Sequence, residues 1–297
     1  MKSSSKLIKK TSDFSFSHSV LGHGWYDLAP FDYDESTKVL NYTFEHRKTG
    51  SISDVSISET NSNIKLLHSV NVTAKEAIEL TRHILRMDEA FVDFYAIAKE
   101  DPQMAWAARS NAGRLLRSAT VYEDLIKTMC TTNCSWSLTK SMVNKLVSAL
   151  GAESLSGSRA FPSPSTMALQ TENFYRNEIK AGYRSPYLVE TAELVASGKI
   201  DPESWLSSEL PTAELKKEIK KIKGIGDYAA ENLLKLLGRY DGLALDSWLR
   251  GGFYKKYNRG KICDDNKIER HYHKYGQWRG LAIWCDMTKE WFAETKL

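Results

Sequence analysis

The hydrophobic pattern of this chain changes period once, at Thr73, and that change constrains the fold more than any other feature. Before it, from about Asp13 to Asn71, apolar and polar residues alternate in short runs. Val39 to Phe44, Val55 to Ser58 and Ile64 to Val72 are the candidate strands, with turns marked by Gly50, Asn61 and Asn63. A period of two over short runs predicts an antiparallel sheet. After it, Thr73-Ala74-Lys75-Glu76 has the form of a capping box, which satisfies backbone amides at a helix start. Ile78, Leu80, Ile84, Leu85, Phe91 and Phe94 then follow at helical spacing. Further helices are expected from Asp101-Pro102, over Val121 to Met129, over Ser141 to Leu150, and after the loop Phe161-Pro162-Ser163-Pro164-Ser165. The expected class is α+β: a flexible polar lead over 1–12, a small antiparallel β lobe over 13–75, and a large all-helical body over 76–297.

Composition narrows the environment. With 297 residues, 42% of them hydrophobic, the chain can bury one large core or two lobes sharing an interface. No apolar run approaches the roughly 18 residues that cross a bilayer, and Met1 to Lys10 is polar, unlike a secretory signal. Four cysteines, Cys130, Cys134, Cys263 and Cys285, form no C-x-x-C pair and read as reduced, packed thiols. A cytoplasmic monomer is expected, nucleoid-associated in a bacterium or nuclear in a eukaryote. Net charge is only +4, but Lys216, Lys217, Lys220, Lys221 and Lys223 crowd one segment. Such a run is either a solvated helix face or a phosphate-binding patch.

That segment continues into the most informative stretch, Leu215 to Arg250. Leu215 to Lys223 reads as a helix ending at a glycine, Gly224-Ile225-Gly226 as a tight turn, and Asp227 to Leu237 as a second helix. The glycines permit a sharp hairpin and close approach of a phosphate to backbone N–H groups. The second helix start adds free donors and the positive end of its dipole, and Ile225 would plug inward. An ordinary αα-hairpin would look similar. Asp246 then lies among apolar residues, eighteen positions after Tyr228, as either a structural helix cap or a functional carboxylate.

Taken together, the hairpin and the spaced aspartate resemble the helix-hairpin-helix/Gly-Pro-Asp superfamily of DNA glycosylases. The family's Pro before the Asp is replaced here by Ala244-Leu245. The resemblance extends to Gly113–Arg117 with Tyr122–Leu125, to Phe161-Pro162 and Ala181–Tyr187, and to Gly276–Ala282, which is similar to the closing helix of alkylpurine glycosylases. His23–Tyr26 to Pro30-Phe31 fits the β-domain opening of a two-lobed subset. Cys130-Thr131-Thr132-Asn133 resembles the turn where 8-oxoguanine glycosylases carry an Asn that enters the duplex; Asn133 is otherwise a turn residue.

The resemblance implies that double-stranded DNA with a damaged base is the partner, gripped by Lys223, Gly224, Ile225, Gly226 and Asp227, with Asn133 filling the hole left by an extruded base. Asp246 would be the catalytic carboxylate. Bifunctional relatives place a lysine nucleophile where this chain has Tyr228, and tyrosine cannot form an imine. The implied enzyme is therefore monofunctional, with Tyr228 and Trp248 in the base pocket, Tyr228 either stacking on the base or packing its helix. Trp25, Trp136 and Trp278 are further aromatics that either line this pocket or pack. Stacking favours alkylated, electron-poor purines; oxidised purines, or a hairpin module without catalysis, remain as alternatives. Only Cys263 and Cys285 follow Asp246, so no iron–sulfur cluster and no side-chain metal site are expected, although hairpin carbonyls of such proteins can bind a monovalent cation.

Overall fold

The computed structural model describes residues 3–46 and 49–294. Its N-terminal part is one antiparallel sheet in the order β1-β5-β4-β3-β2. The strands are β1 (Ser3–Lys9), β2 (Phe31–Asp34), β3 (Val39–Glu45), β4 (Ile52–Glu59) and β5 (Asn63–Ser69). Register places the alternating apolar residues side by side. Leu40 pairs with Ile57 and Ile57 with Leu66, while Phe31, Tyr42, Val55 and His68 form the adjacent row. All are buried, which gives the sheet one inner face.

The flexible lead expected over residues 1–12 is corrected. Ser3 to Lys9 pair with the whole of β5, from Ser69 to Asn63. Residues 1 and 2 lie outside the described residues. Only Ile8 of this edge strand is buried, and polar side chains suit an edge that must not recruit another sheet; composition therefore read as disorder. Asn63 opens β5 rather than lying in the turn before it, and that strand stops at Ser69, short of Val72.

Helix α1 (Phe16–Val20) and a 3-10 turn over Gly24–Asp27 lie between β1 and β2. The helical body begins with α2 (Ala74–Ile84), opened by the expected Thr73–Glu76 capping box, then α3 (Val92–Glu100) and α4 (Ala105–Arg109). Asp101-Pro102 does not open α4: the Asp101 carboxylate caps Gln103 N–H in a turn, and the helix starts three residues beyond Pro102. Next come α5 (Val121–Thr131) and α6 (Trp136–Leu150). The latter starts five residues before the expected Ser141, because Ser135 accepts Leu138 N–H as its cap. Short helices α7 (Pro164–Ala168) and α8 (Glu172–Phe174) lead to α9 (Ser185–Ala196). The chain ends with α10 (Thr212–Ile219), α11 (Asp227–Leu236), α12 (Ser247–Tyr257), α13 (Asp265–Tyr272) and α14 (Arg279–Glu294). Among the described residues no helix is long and apolar enough to cross a membrane, and the four cysteines are free thiols.

Buried polar ties fix the sheet on α5. Tyr42 donates to Glu123 Oε2 at 2.7 Å and accepts Ala119 N–H at 3.0 Å. Lys127, fully enclosed, pairs with Glu123 Oε1 at 2.7 Å and lies 4.8 Å from the Phe31 ring centre. Trp25 donates to the buried Asp124 at 2.7 Å. The N-terminal segment is thereby held across the helical body, which is where a cavity opens.

Candidate active site

Two helices and a turn present the hairpin. α10 ends at Ile219, so Lys220 to Lys223 form a turn rather than the expected last helical residues. Gly224 adopts φ +87°, and a Cβ there would sit 2.6 Å from the Tyr187 ring. Both the backbone and the space therefore require glycine. Ile225 is buried, as expected, while Gly226 faces open space and caps α11 without a side-chain hydrogen bond. The first amides of α11 are thus left for an anion.

The lysine run is not a bare cationic patch. Lys216 bridges Asp227 and Glu231 at 2.9 and 2.5 Å, and Lys220 reaches Asp227 at 3.0 Å. Lys217, Lys221 and Lys223 pair with Glu214, Glu218 and Glu190. Exposed pairs of this kind are worth less than about 1 kcal/mol, so an arriving phosphate can displace them. Hydrogen bonds from Lys216 and Lys220 hold the Asp227 carboxyl below the usual carboxylate range.

Of the two sequence readings of Asp246, the helix cap is observed, and the residue also lies at a cavity. It is the N-cap of α12, accepting Leu249 N–H at 2.7 Å, and it borders a cavity of about 780 Å³. The Tyr228 ring lines the same cavity and its phenol faces Asp246 and Thr131. Burial first, then the Asp246 carboxylate, push that phenol up to about 12. The N-terminal segment contributes Trp25, α6 contributes Trp136, α12 contributes Trp248, and α14 contributes Trp284 and Trp291. Trp248 lies 5.4 Å from Trp291 between ring centres. Trp278 is not part of this wall. It stacks on Tyr240 at 5.3 Å and packs against Phe91 and Phe94. Carboxylates Asp27, Glu35 and Asp246 line the cavity, Asp27 paired with Lys140 at 2.6 Å, and among the described residues no Lys or Arg lines it.

The loop before Asp246 is held by residues that sequence reasoning missed. Ala244 adopts φ +52°, a left-handed conformation that favours glycine and costs about 1–2 kcal/mol in other residues. Glu231 Oε2 accepts its N–H at 2.6 Å, and one turn further along α11 the Lys235 ammonium donates to Leu243 O at 3.2 Å. Lys235 is buried, which lowers its pKa to about 8. From the other side Gly280 donates to Tyr240 O at 2.7 Å. It must be glycine, since a Cβ would lie 1.9 Å from Gly242 O. The signal for Glu231 and Lys235 was their period-four spacing on the helix, but spacing does not say which loop they meet.

Asn133 sits apart from the cavity wall, in the exposed loop between α5 and α6, with φ +47°. Its amide donates to the exposed Tyr183 hydroxyl at 3.2 Å. Arg184 braces this loop through Thr132 O. The structure therefore adds Tyr183 and Arg184 to the Asn133 turn. Among the described residues no group of three or more His, Cys, Asp or Glu is placed to hold a metal ion.

The sequence matches no family model and no curated protein sequence. Solved structures do match the fold. The 3-methyladenine DNA glycosylase from Archaeoglobus fulgidus superposes with a TM-score of 0.77 at 18% identity, over 97% of this chain and 99% of that one. MBOgg1, solved with a low-affinity DNA ligand, gives 0.77 at 17% identity, over 98% and 100%. The apo 8-oxoguanine glycosylase/lyase of Clostridium acetobutylicum gives 0.69 at 17% identity, over 90% and 93%. The chain thus has the two-part α+β fold of these DNA glycosylases.

Proposed function

We propose that this protein is a monofunctional DNA glycosylase that hydrolyses the N-glycosidic bond of an extruded, N-alkylated purine in duplex DNA and leaves an abasic site. The observation that carries the reading is the Asp246 carboxylate at a helix cap, in the wall of a tryptophan-lined cavity that no lysine or arginine lines among the described residues. As the glycosidic bond lengthens, positive charge builds on the deoxyribose. A fixed carboxylate stabilises that charge and orients the attacking water. The target base must leave the stack first, at a cost of a few kcal/mol. An aromatic wall bearing carboxylates suits a cationic alkylpurine better than a neutral oxidised one.

The hairpin grips the DNA backbone through Gly224, Ile225, Gly226 and the start of α11 at Asp227, with Lys223 beside them. A monovalent cation would be held there by turn carbonyls such as Ile222 O, which accepts Ile225 N–H at 3.1 Å. Asn133, exposed and hydrogen-bonded to the Tyr183 hydroxyl, would fill the gap left in the duplex. Glu231 and Lys235 serve as positioning residues for Asp246. Glu231→Ala is expected to slow single-turnover base release by about ten- to a hundredfold, because small misplacements of a reacting group are costly, with duplex affinity kept.

The test is a panel of duplexes, each with one lesion, assayed for free base. Release of 3-methyladenine or 7-methylguanine supports the reading; release of 8-oxoguanine alone overturns the alkylpurine assignment and keeps the glycosylase. Borohydride treatment with abasic DNA should give no covalent adduct. A trapped adduct would show an amine nucleophile and remove the monofunctional assignment.

A further inference from the structure

Three of the five cavity tryptophans have their indole N–H groups committed within the protein. Trp25 donates to Asp124 at 2.7 Å, Trp136 to Asp27 at 2.9 Å and Trp284 to Gly22 O at 2.8 Å. They offer an extruded base their rings but no hydrogen bond. Stacking alone discriminates poorly among purines, because every purine has a similar face. A reader of the base edge must come from other groups in the wall.

Two such groups stand out. His23 Nδ1 and Thr128 Oγ1 are enclosed and have no hydrogen-bond partner in the protein, and both residues line the cavity that Asp246 borders. His23 is 8% exposed and Thr128 1%. A buried polar atom left without a partner destabilises a fold, so natural proteins retain few of them, and each calls for an explanation. Here two belong to the wall of one cavity, from separate parts of the chain.

We propose that His23 and Thr128 are specificity-determining residues that hydrogen-bond the edge of the extruded purine. This rests on the glycosylase reading above and extends it to the recognition of the base. His23 packs edge-on against Trp25, 4.2 Å between ring centres, and tilted against Trp284 at 5.6 Å. Burial, aided by the nearby cations Lys235, Arg86 and Lys127, lowers the His23 pKa to about 3. The imidazole is therefore neutral at working pH, with one donor and one acceptor, and the threonine hydroxyl offers the same pair. Contact requires small turns, of the imidazole about its last side-chain bond and of the hydroxyl between the two rotamers open to helical threonine. Adenine and guanine derivatives present edges with a lone pair beside an N–H, which these two residues can match; a base alkylated or otherwise blocked on the edge that faces them leaves them unpaired and is rejected.

The test uses His23→Phe, Thr128→Val and Thr128→Ser in the full-length protein. Single-turnover release is measured on the lesion that the wild type removes fastest. Affinity is measured on a duplex with a tetrahydrofuran abasic analogue, which fills the sugar site and presents no base. His23→Phe and Thr128→Val are each expected to slow release by about tenfold or more, with unchanged affinity for the analogue and an unlowered Tm. Thr128→Ser, which keeps the hydroxyl, should restore release to within about threefold of wild type, less than the roughly fivefold that a hydrogen bond of about 1 kcal/mol is worth. Wild-type release rates in both Phe and Val variants overturn the proposal. So does a loss of release matched by an equal loss of affinity for the analogue, since that places the residues in the DNA grip or the fold. A wild-type protein that frees no base from any lesion duplex overturns the glycosylase reading itself, a result separate from either.

Discussion

Asp246→Asn should lower base release by about a hundred- to a thousandfold or more, the scale of losing one preorganised electrostatic group at a reacting centre, while leaving the protein folded and able to bind duplex. The separation is possible because the observed cap and the proposed charge stabilisation depend on different properties of Asp246. As a cap it needs an oxygen to accept Leu249 N–H at 2.7 Å, and asparagine supplies one at nearly equal helix stability. As a stabiliser of positive charge on the sugar it needs a net negative charge, which asparagine lacks. Single-turnover kinetics, thermal melting and affinity for an abasic-analogue duplex together test this. An Asn variant with wild-type release would remove Asp246 from the mechanism and leave it a cap.

The largest loss of stability is expected from Glu123→Ala, about 3–5 kcal/mol, the usual result of removing one member of a buried ion pair. Lys127 is fully buried beside Glu123, and without it the ammonium keeps a long hydrogen bond to Ser118 Oγ at 3.4 Å and the Phe31 ring at 4.8 Å, neither of them charged. The substitution strands that charge and also frees the Tyr42 hydroxyl that Glu123 Oε2 accepts. A whole domain is stable by only about 5–15 kcal/mol, so the effect should be plain in urea unfolding. Glu123→Leu with Lys127→Met removes both charges and should recover most of the loss. If Glu123→Ala unfolds at the wild-type urea concentration, the pair is not what joins sheet to helices. The neighbouring Asp124 holds Trp25, so loosening this part of α5 should also slow base release.

Much of the site was legible because local chemistry fixes it. The Thr73–Glu76 box needs only residues three apart, and it formed as read. The Gly224-Ile225-Gly226 turn between two amphipathic segments likewise follows from backbone freedom and a buried isoleucine. The spacing from Tyr228 to Asp246 carries the aspartate to the start of α12, facing Tyr228. Strand β1 was not legible, because its residues gain order from pairing with β5 some sixty positions away rather than from their own pattern. The five-lysine run left a solvated helix face and a phosphate-binding patch both open, and its pattern did not show that folding gives each lysine a carboxylate.

By itself the sequence determined the α+β class, the hairpin and the carboxylate, since period, turn chemistry and capping act over a few residues. Tertiary structure alone decided which tryptophans wall the cavity, admitting Trp284 and Trp291 and sending Trp278 to pack with Tyr240. It also decided that Glu231 and Lys235 hold the Asp246 loop and that His23 and Thr128 line one cavity. The physical reason is that a side chain's partner across the fold depends on how elements from distant parts of the chain pack, and no local pattern encodes that packing.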